Sequence, residues 1–124
     1  MIGQHLIIDI KECKNELALD SIEKCIEIFD NLCTKYKLSV LNRAHHKFNP
    51  QGVSLIYLLS ESHISMHSWP ELNLVSLDCY TCSDNITPKI HEQLANDLLE
   101  AFQGKKHRFV ILDRGYKLNN ETSI

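Results

Sequence analysis

Hydrophobic and polar positions change their rhythm several times along the chain. Residues 5–10, His-Leu-Ile-Ile-Asp-Ile, are apolar and isoleucine-rich, and the polar stretch with Lys11, Glu12, Lys14 and Asn15 follows. This predicts a buried strand and then a turn. Across 17–36 the apolar residues Ile22, Cys25, Ile26, Phe29, Leu32, Cys33 and Tyr36 recur at steps of three and four, which predicts one amphipathic helix. Cys25 and Cys33 lie on its stripe and read as small core hydrophobes. After Lys37 come short β-rich runs at 38–48, 53–59, 63–68 and 74–81, with turns expected at 49–52 and 69–73. Thr87-Pro88 opens a second helix whose stripe is Ile90, Leu94, Leu98 and Phe102, and Gly104 ends it. A strand at 107–112 precedes a polar tail, 116–124, expected to fray.

The resulting order is βαββ followed by ββαβ. It predicts an α+β fold: a two-layer α/β sandwich, with a mainly antiparallel sheet and two helices on one face. One domain spans 1–115. Read with period two, strand 74–82 puts Val75, Leu77, Cys79 and Thr81 on one side and Ser76, Asp78, Tyr80 and Cys82 on the other. The second side suits a solvated face, a site or a subunit interface.

Composition narrows the function. The chain has 124 residues, 44% hydrophobic and 23% charged, which is ordinary for a globular domain. A net charge of -3 gives no reason to expect a nucleic-acid partner, and Lys105-Lys106-His107-Arg108 reads as a solvated strand end. The N-terminus lacks the features of a leader, and no apolar run is long enough to span a membrane. A cytoplasmic protein without a membrane partner is expected. Five cysteines without framework spacing read mostly as free thiols.

Several apparent motifs fail on geometry or completeness. Cys79-Tyr-Thr-Cys82 has the CxxC spacing, but it has no partner pair at finger spacing, and residues three apart on a strand face opposite sides. His63 and His67 share a strand face roughly 13 Å apart, too far to chelate one ion, and the glutamate of HExxH is missing. His45 and His46 face opposite sides. No metal site is expected. Ser62 and Ser65 lack the flanking glycines of a nucleophile elbow. His91 and His107 read as surface or helix residues.

Three linked segments carry chemistry: Phe48-Asn-Pro-Gln-Gly-Val-Ser54, then Leu59-Ser-Glu61-Ser62-His63-Ile-Ser-Met-His67-Ser-Trp69-Pro-Glu71, then Asp78-Cys-Tyr-Thr-Cys82. Together they resemble the bacterial S-adenosylmethionine decarboxylases, whose mark is Ser-Glu-Ser-His followed by His-x-Trp/Phe-Pro-Glu and by Thr-Cys. The resemblance runs from Gly3 to about Gly115. It implies a proenzyme that cuts itself between Glu61 and Ser62 into a β chain, 1–61, and an α chain, 62–124, with Ser62 becoming a covalent pyruvoyl cofactor. Such a group meets a chemical need, because decarboxylating an α-amino acid requires an electron sink that no ordinary side chain supplies.

The resemblance also implies roles. Ser54 and His67 assist processing, His67 by proton transfer. The substrate amine forms a Schiff base with the pyruvoyl group, and Cys82 returns a proton to the substrate α-carbon. Phe48, Trp69 and Glu71 hold the sulfonium nucleoside, by stacking, cation-π attraction and hydrogen bonding. The implied assembly is a homodimer with the site at its interface and Phe48 reaching in from the partner. The implied product is decarboxylated S-adenosylmethionine, the aminopropyl donor for spermidine synthesis.

This chain departs from the family pattern at Leu55, at Asn73-Leu-Val75 and at Ser83, where glycine, Gly-Tyr-Ala and glycine are usual. Two other readings therefore stay open: a pyruvoyl decarboxylase of ornithine or arginine, and a non-catalytic homologue that binds a nucleoside or another subunit.

Overall fold

The computed structural model describes residues 3–82 and 86–115. The tail expected at 116–124 and the departure at Ser83 lie outside them. Six strands form one sheet: β1 (Gly3–Lys11), β2 (Val40–Lys47), β3 (Val53–Leu59), β4 (Ser62–Trp69), β5 (Leu74–Thr81) and β6 (Lys106–Arg114). Their spatial order is β2-β3-β4-β5-β1-β6, and every neighbouring pair is antiparallel. The expected α+β sandwich is observed, with the helices packed on one face.

The helix expected over 17–36 is two helices, α1 (Glu16–Asp20) and α2 (Ile22–Lys35). Ser21 sits between them in extended conformation, and its hydroxyl accepts from the Lys24 amide. Serine can hold a backbone N–H this way, so it caps a new helix more readily than it continues an old one. The turn expected at 69–73 contains a 3₁₀ turn, Pro70–Leu72, ended by Asn73 in left-handed conformation. α3 (Pro88–Phe102) starts where expected, with the Thr87 hydroxyl accepting from the Ile90 amide.

Alternation decides the sheet's two faces. Leu6, Ile8 and Ile10 of β1, Leu55 and Tyr57 of β3, Ile64 and Met66 of β4, and Val75, Leu77 and Cys79 of β5 point to the helices and are buried. Phe29 of α2 meets Tyr57 edge-on, with ring centroids 5.2 Å apart. Each such side chain contributes about 1.5–3 kcal/mol of burial free energy. Cys25 and Cys33 belong to this core, as their spacing predicted. All five cysteines are free.

His91 takes the helix placement of the two that the sequence left open, and it is fully buried at the start of α3. Its Nδ1 lies 3.1 Å from the Thr87 carbonyl oxygen and its Nε2 3.1 Å from the Thr81 hydroxyl. The carbonyl can only accept, so Nδ1 carries the proton and the Thr81 hydroxyl donates to Nε2. Burial holds the His91 pKa below the usual histidine value, with nearby His5 adding to the effect and the Thr87 hydrogen bond opposing it. Between its folded and unfolded pKa values the unfolded chain binds more protons, so this contribution is full above about pH 6.5 and shrinks as pH falls below it. A urea midpoint measured at pH 7.5 and 5.5 should drop at the lower pH, and His91→Gln should flatten that drop.

Candidate active site

The helix-free face carries His63, Ser65 and His67 of β4 beside Ser76, Asp78 and Tyr80 of β5. The polar side of strand 74–82 anticipated from the sequence is therefore real. Functional side chains gather in three places along these two strands.

At one end, Ser60 and Glu61 form the two-residue turn joining β3 to β4, with Leu59 opposite Ser62. Glu61 is in left-handed conformation, φ 61°, which costs a residue with a Cβ roughly 1–2 kcal/mol. The Ser62 hydroxyl is buried and accepts from the Cys82 amide at 3.1 Å. Cys82 is half-buried whereas the other four cysteines are buried. Gly3 passes so close that a Cβ there would sit 2.5 Å from the Thr81 carbonyl oxygen and 3.1 Å from both the Cys82 sulfur and the Tyr80 ring. The backbone can approach the thiol only because residue 3 has no side chain.

At the opposite end, the Ser54 hydroxyl and His67 Nδ1 are 2.6 Å apart. A cleft of about 350 Å³ opens beside them, lined in part by Phe48, Gln51, Trp69 and Glu71. His67 lies 6.4 Å from the Trp69 ring, between centroids. Phe48 is 46% exposed and Trp69 40%, so both offer aromatic surface to a ligand or a partner.

Between these ends lies a cluster that the sequence reading did not assign. Asp78 Oδ2 is 2.7 Å from His5 Nε2 and 2.8 Å from His63 Nε2, and its other oxygen accepts from the Ser65 hydroxyl. Burial alone would raise the Asp78 pKa, but the hydrogen bonds from Ser65, His63 and His5 outweigh it and hold the carboxyl below its usual value. The ligand atoms of His5, His63 and Asp78 lie within 4.8 Å of one another, close enough to suggest an ion site. Arg114 donates to His5 Nδ1 at 2.8 Å, however, which fixes the His5 proton on Nε2. That tautomer hydrogen-bonds to Asp78 and leaves no lone pair for a cation at Nε2.

The placement changes one expectation. Ser62 and His67 are close in sequence, yet five residues of strand set them about 16 Å apart. Their side chains also leave opposite faces of β4: Ser62 is buried and His67 exposed. One chain thus brings Ser62 together with Cys82, and Ser54 together with His67, Phe48, Trp69 and Glu71. It does not bring the two groups together.

A buried serine at a strained hairpin, a half-buried cysteine just past the end of β5 and an aromatic cleft with a Ser-His pair together fit a small α+β enzyme. The S-adenosylmethionine decarboxylase family model matches residues 4–115, so the chain belongs to that family. Relatives named S-adenosylmethionine decarboxylase proenzyme include one from Archaeoglobus fulgidus, 37% identical over 93% of this chain and 99% of its own. Another, from Prochlorococcus marinus, is 41% identical over 92% and 90%. Among solved structures, the adenosylmethionine decarboxylase from Aquifex aeolicus superposes with a TM-score of 0.83 at 24% identity, covering 99% of this chain and 98% of that one. A Trypanosoma brucei AdoMetDC monomer shares the fold at a TM-score of 0.61 and 11% identity, and this chain covers 45% of it.

Proposed function

We propose that the chain is a pyruvoyl-dependent S-adenosylmethionine decarboxylase that processes itself between Glu61 and Ser62. The Ser62–Cys82 contact at the hairpin carries this reading, since the hydroxyl next to the bond to be cut accepts from the backbone amide of Cys82, which brings the two residues to one strand end. Ser62 Oγ adds to the Glu61 carbonyl carbon, the peptide C–N bond breaks, and the freed nitrogen takes the hydroxyl proton, leaving an ester. Loss of the Ser62 α-proton then expels the Glu61 carboxylate, and hydrolysis releases ammonia. The pyruvoyl group so formed would supply the electron-accepting carbonyl that decarboxylation needs.

The remaining residues serve substrate and proton. In this reading Cys82 protonates the substrate α-carbon, His67 moves protons during processing with Ser54 holding its ring, and Phe48, Trp69 and Glu71 hold the nucleoside. The two groups must therefore meet across a homodimer. A two-fold axis lying between two stacked sheets and running across their strands exchanges the strand ends, so the strand end that carries Ser62 and Cys82 in one copy lies against the end that carries His67 and Ser54 in the other. The free face has the apolar surface for such stacking: Ile7, Ile56, Leu58, Val110 and Leu112 are all at least 39% exposed. Among the described residues no helix is long and apolar enough to cross a membrane. The free thiols support a cytoplasmic setting.

Substrate identity is tested by carbon dioxide release from S-adenosylmethionine, ornithine and arginine offered separately. Turnover of the first alone is expected. Turnover of only a free amino acid would replace this reading with the ornithine or arginine one.

A further inference from the structure

α1 ends at Asp20, one residue before the break at Ser21, and the Asp20 carboxylate reaches the loop that carries Phe48. Its Oδ1 accepts from the Gly52 amide at 2.8 Å and lies 2.9 Å from the Lys47 ammonium. The same ammonium donates to the Phe48 carbonyl oxygen at 3.0 Å, and the Phe48 amide donates to the Gly52 carbonyl oxygen at 2.8 Å. Both backbone groups of Phe48 are thus held, and one carboxylate oxygen ties the two ends of the loop to α1. Gly52 has φ 109°, and a Cβ there would meet the Ser68 carbonyl oxygen at 3.2 Å, so its amide reaches Asp20 in a conformation that suits glycine. The Phe48 ring meets the His46 ring edge-on, 4.6 Å between centroids, and lines the cleft shared with Trp69 and Glu71.

We infer that Asp20 is a positioning residue for Phe48: through Gly52 and Lys47 it holds the loop in the conformation that presents the ring to the nucleoside. The inference rests on the proposed role of Phe48. Both side chains of the Asp20–Lys47 pair are partly exposed, and such a pair contributes little to folding stability. Its effect falls on the loop instead. A mobile ring has to be ordered when a ligand stacks on it, which weakens binding, and a loop ordered in advance avoids that loss. Hydrogen bonds from the Gly52 amide and from Lys47 hold the Asp20 carboxyl below its usual value, so the clamp is charged at neutral pH. Ser62 and Cys82 stand at the other strand end, away from these contacts.

The test measures turnover of S-adenosylmethionine by Asp20→Ala, Phe48→Ala and the double variant, each shown by mass to be cleaved. Phe48→Ala should raise KM about 10-fold, within the range for an aromatic face lost from a nucleobase. Asp20→Ala should raise KM about 3- to 10-fold and leave kcat nearly unchanged, as expected when hydrogen bonds that order a binding loop are lost. In the double variant KM should match that of Phe48→Ala alone, because Asp20 acts through the ring. Asp20→Asn carries the same comparison if the alanine chain does not fold. Trp69 is the chain's one tryptophan and lines the same cleft, so quenching of its fluorescence by adenosine should rank the variants in the same order without turnover. An unchanged KM in Asp20→Ala, with KM raised in Phe48→Ala, would overturn the inference and leave the proposed function standing. An Asp20→Ala effect of equal size in both backgrounds would also overturn it, since the carboxylate would then act independently of the ring. An unchanged KM in Phe48→Ala would instead remove Phe48 from substrate binding, and the inference with it.

Discussion

Replacing Ser62 by alanine should leave a single uncut chain with no decarboxylase activity. The substitution removes the only atom that can turn the 61–62 peptide bond into an ester, and without that ester there is no low-barrier route to chain cleavage or to a carbonyl cofactor. Folding should survive. The lost hydroxyl accepts one hydrogen bond, from the Cys82 amide, a change worth about 1 kcal/mol. A cut chain in Ser62→Ala, read on a denaturing gel or by mass, would mean that cleavage uses another nucleophile.

The second large effect concerns which chain supplies His67. Within one chain Ser62 and His67 lie about 16 Å apart along β4 and leave opposite faces of it, so His67 cannot serve its own Ser62 if strand geometry is kept. Ser62→Ala and His67→Ala, each expressed alone, should both stay uncut. Co-expressed, they should form mixed dimers in which the strand end carrying the intact Ser62 of the His67→Ala chain lies against the end carrying the intact His67 of the Ser62→Ala chain. With random pairing at equal expression, about half of the His67→Ala chains should then be cleaved. Distinct tags on the two chains identify which is cut. No cleavage in the mixture, with mixed dimers demonstrated by the tags, would place His67 in cis or outside processing.

The two predictions depend on structural features of unequal visibility in the sequence. All six strands and α3 were legible because polarity alternates along β5 and because Thr87-Pro88 and Gly104 bracket a regular stripe. The break at Ser21 was not. Ala18, Ile22, Cys25 and Phe29 keep steps of four, three and four across it, so the hydrophobic rhythm that marks one helix continues through two. The burial of His91 was hidden for a related reason: a lone histidine in a helix gives no sign that Thr81 and the Thr87 carbonyl will enclose it.

The candidate site shows the same division. Motif spacing made Ser54, Ser62, His67 and Cys82 visible together, but short sequence distance concealed how far a strand spreads Ser62 from His67. The rise per residue could have revealed that separation, since β4 was itself expected. The His5–Asp78–His63 frame had only a faint signal, a histidine and an aspartate alternating with isoleucine and leucine in β1 and β5. Its assembly depends on β1 lying beside β5, a pairing between strands some 70 residues apart that no local pattern encodes.

The central claim is that this chain makes its own carbonyl cofactor from Ser62, and intact-mass analysis of the purified wild-type protein under denaturing conditions tests it most directly. The expected result is two chains, 1–61 and 62–124, the second beginning with a blocked terminus whose mass reflects a pyruvoyl group in place of serine. A single uncut chain, or a second chain beginning with ordinary serine, would contradict it.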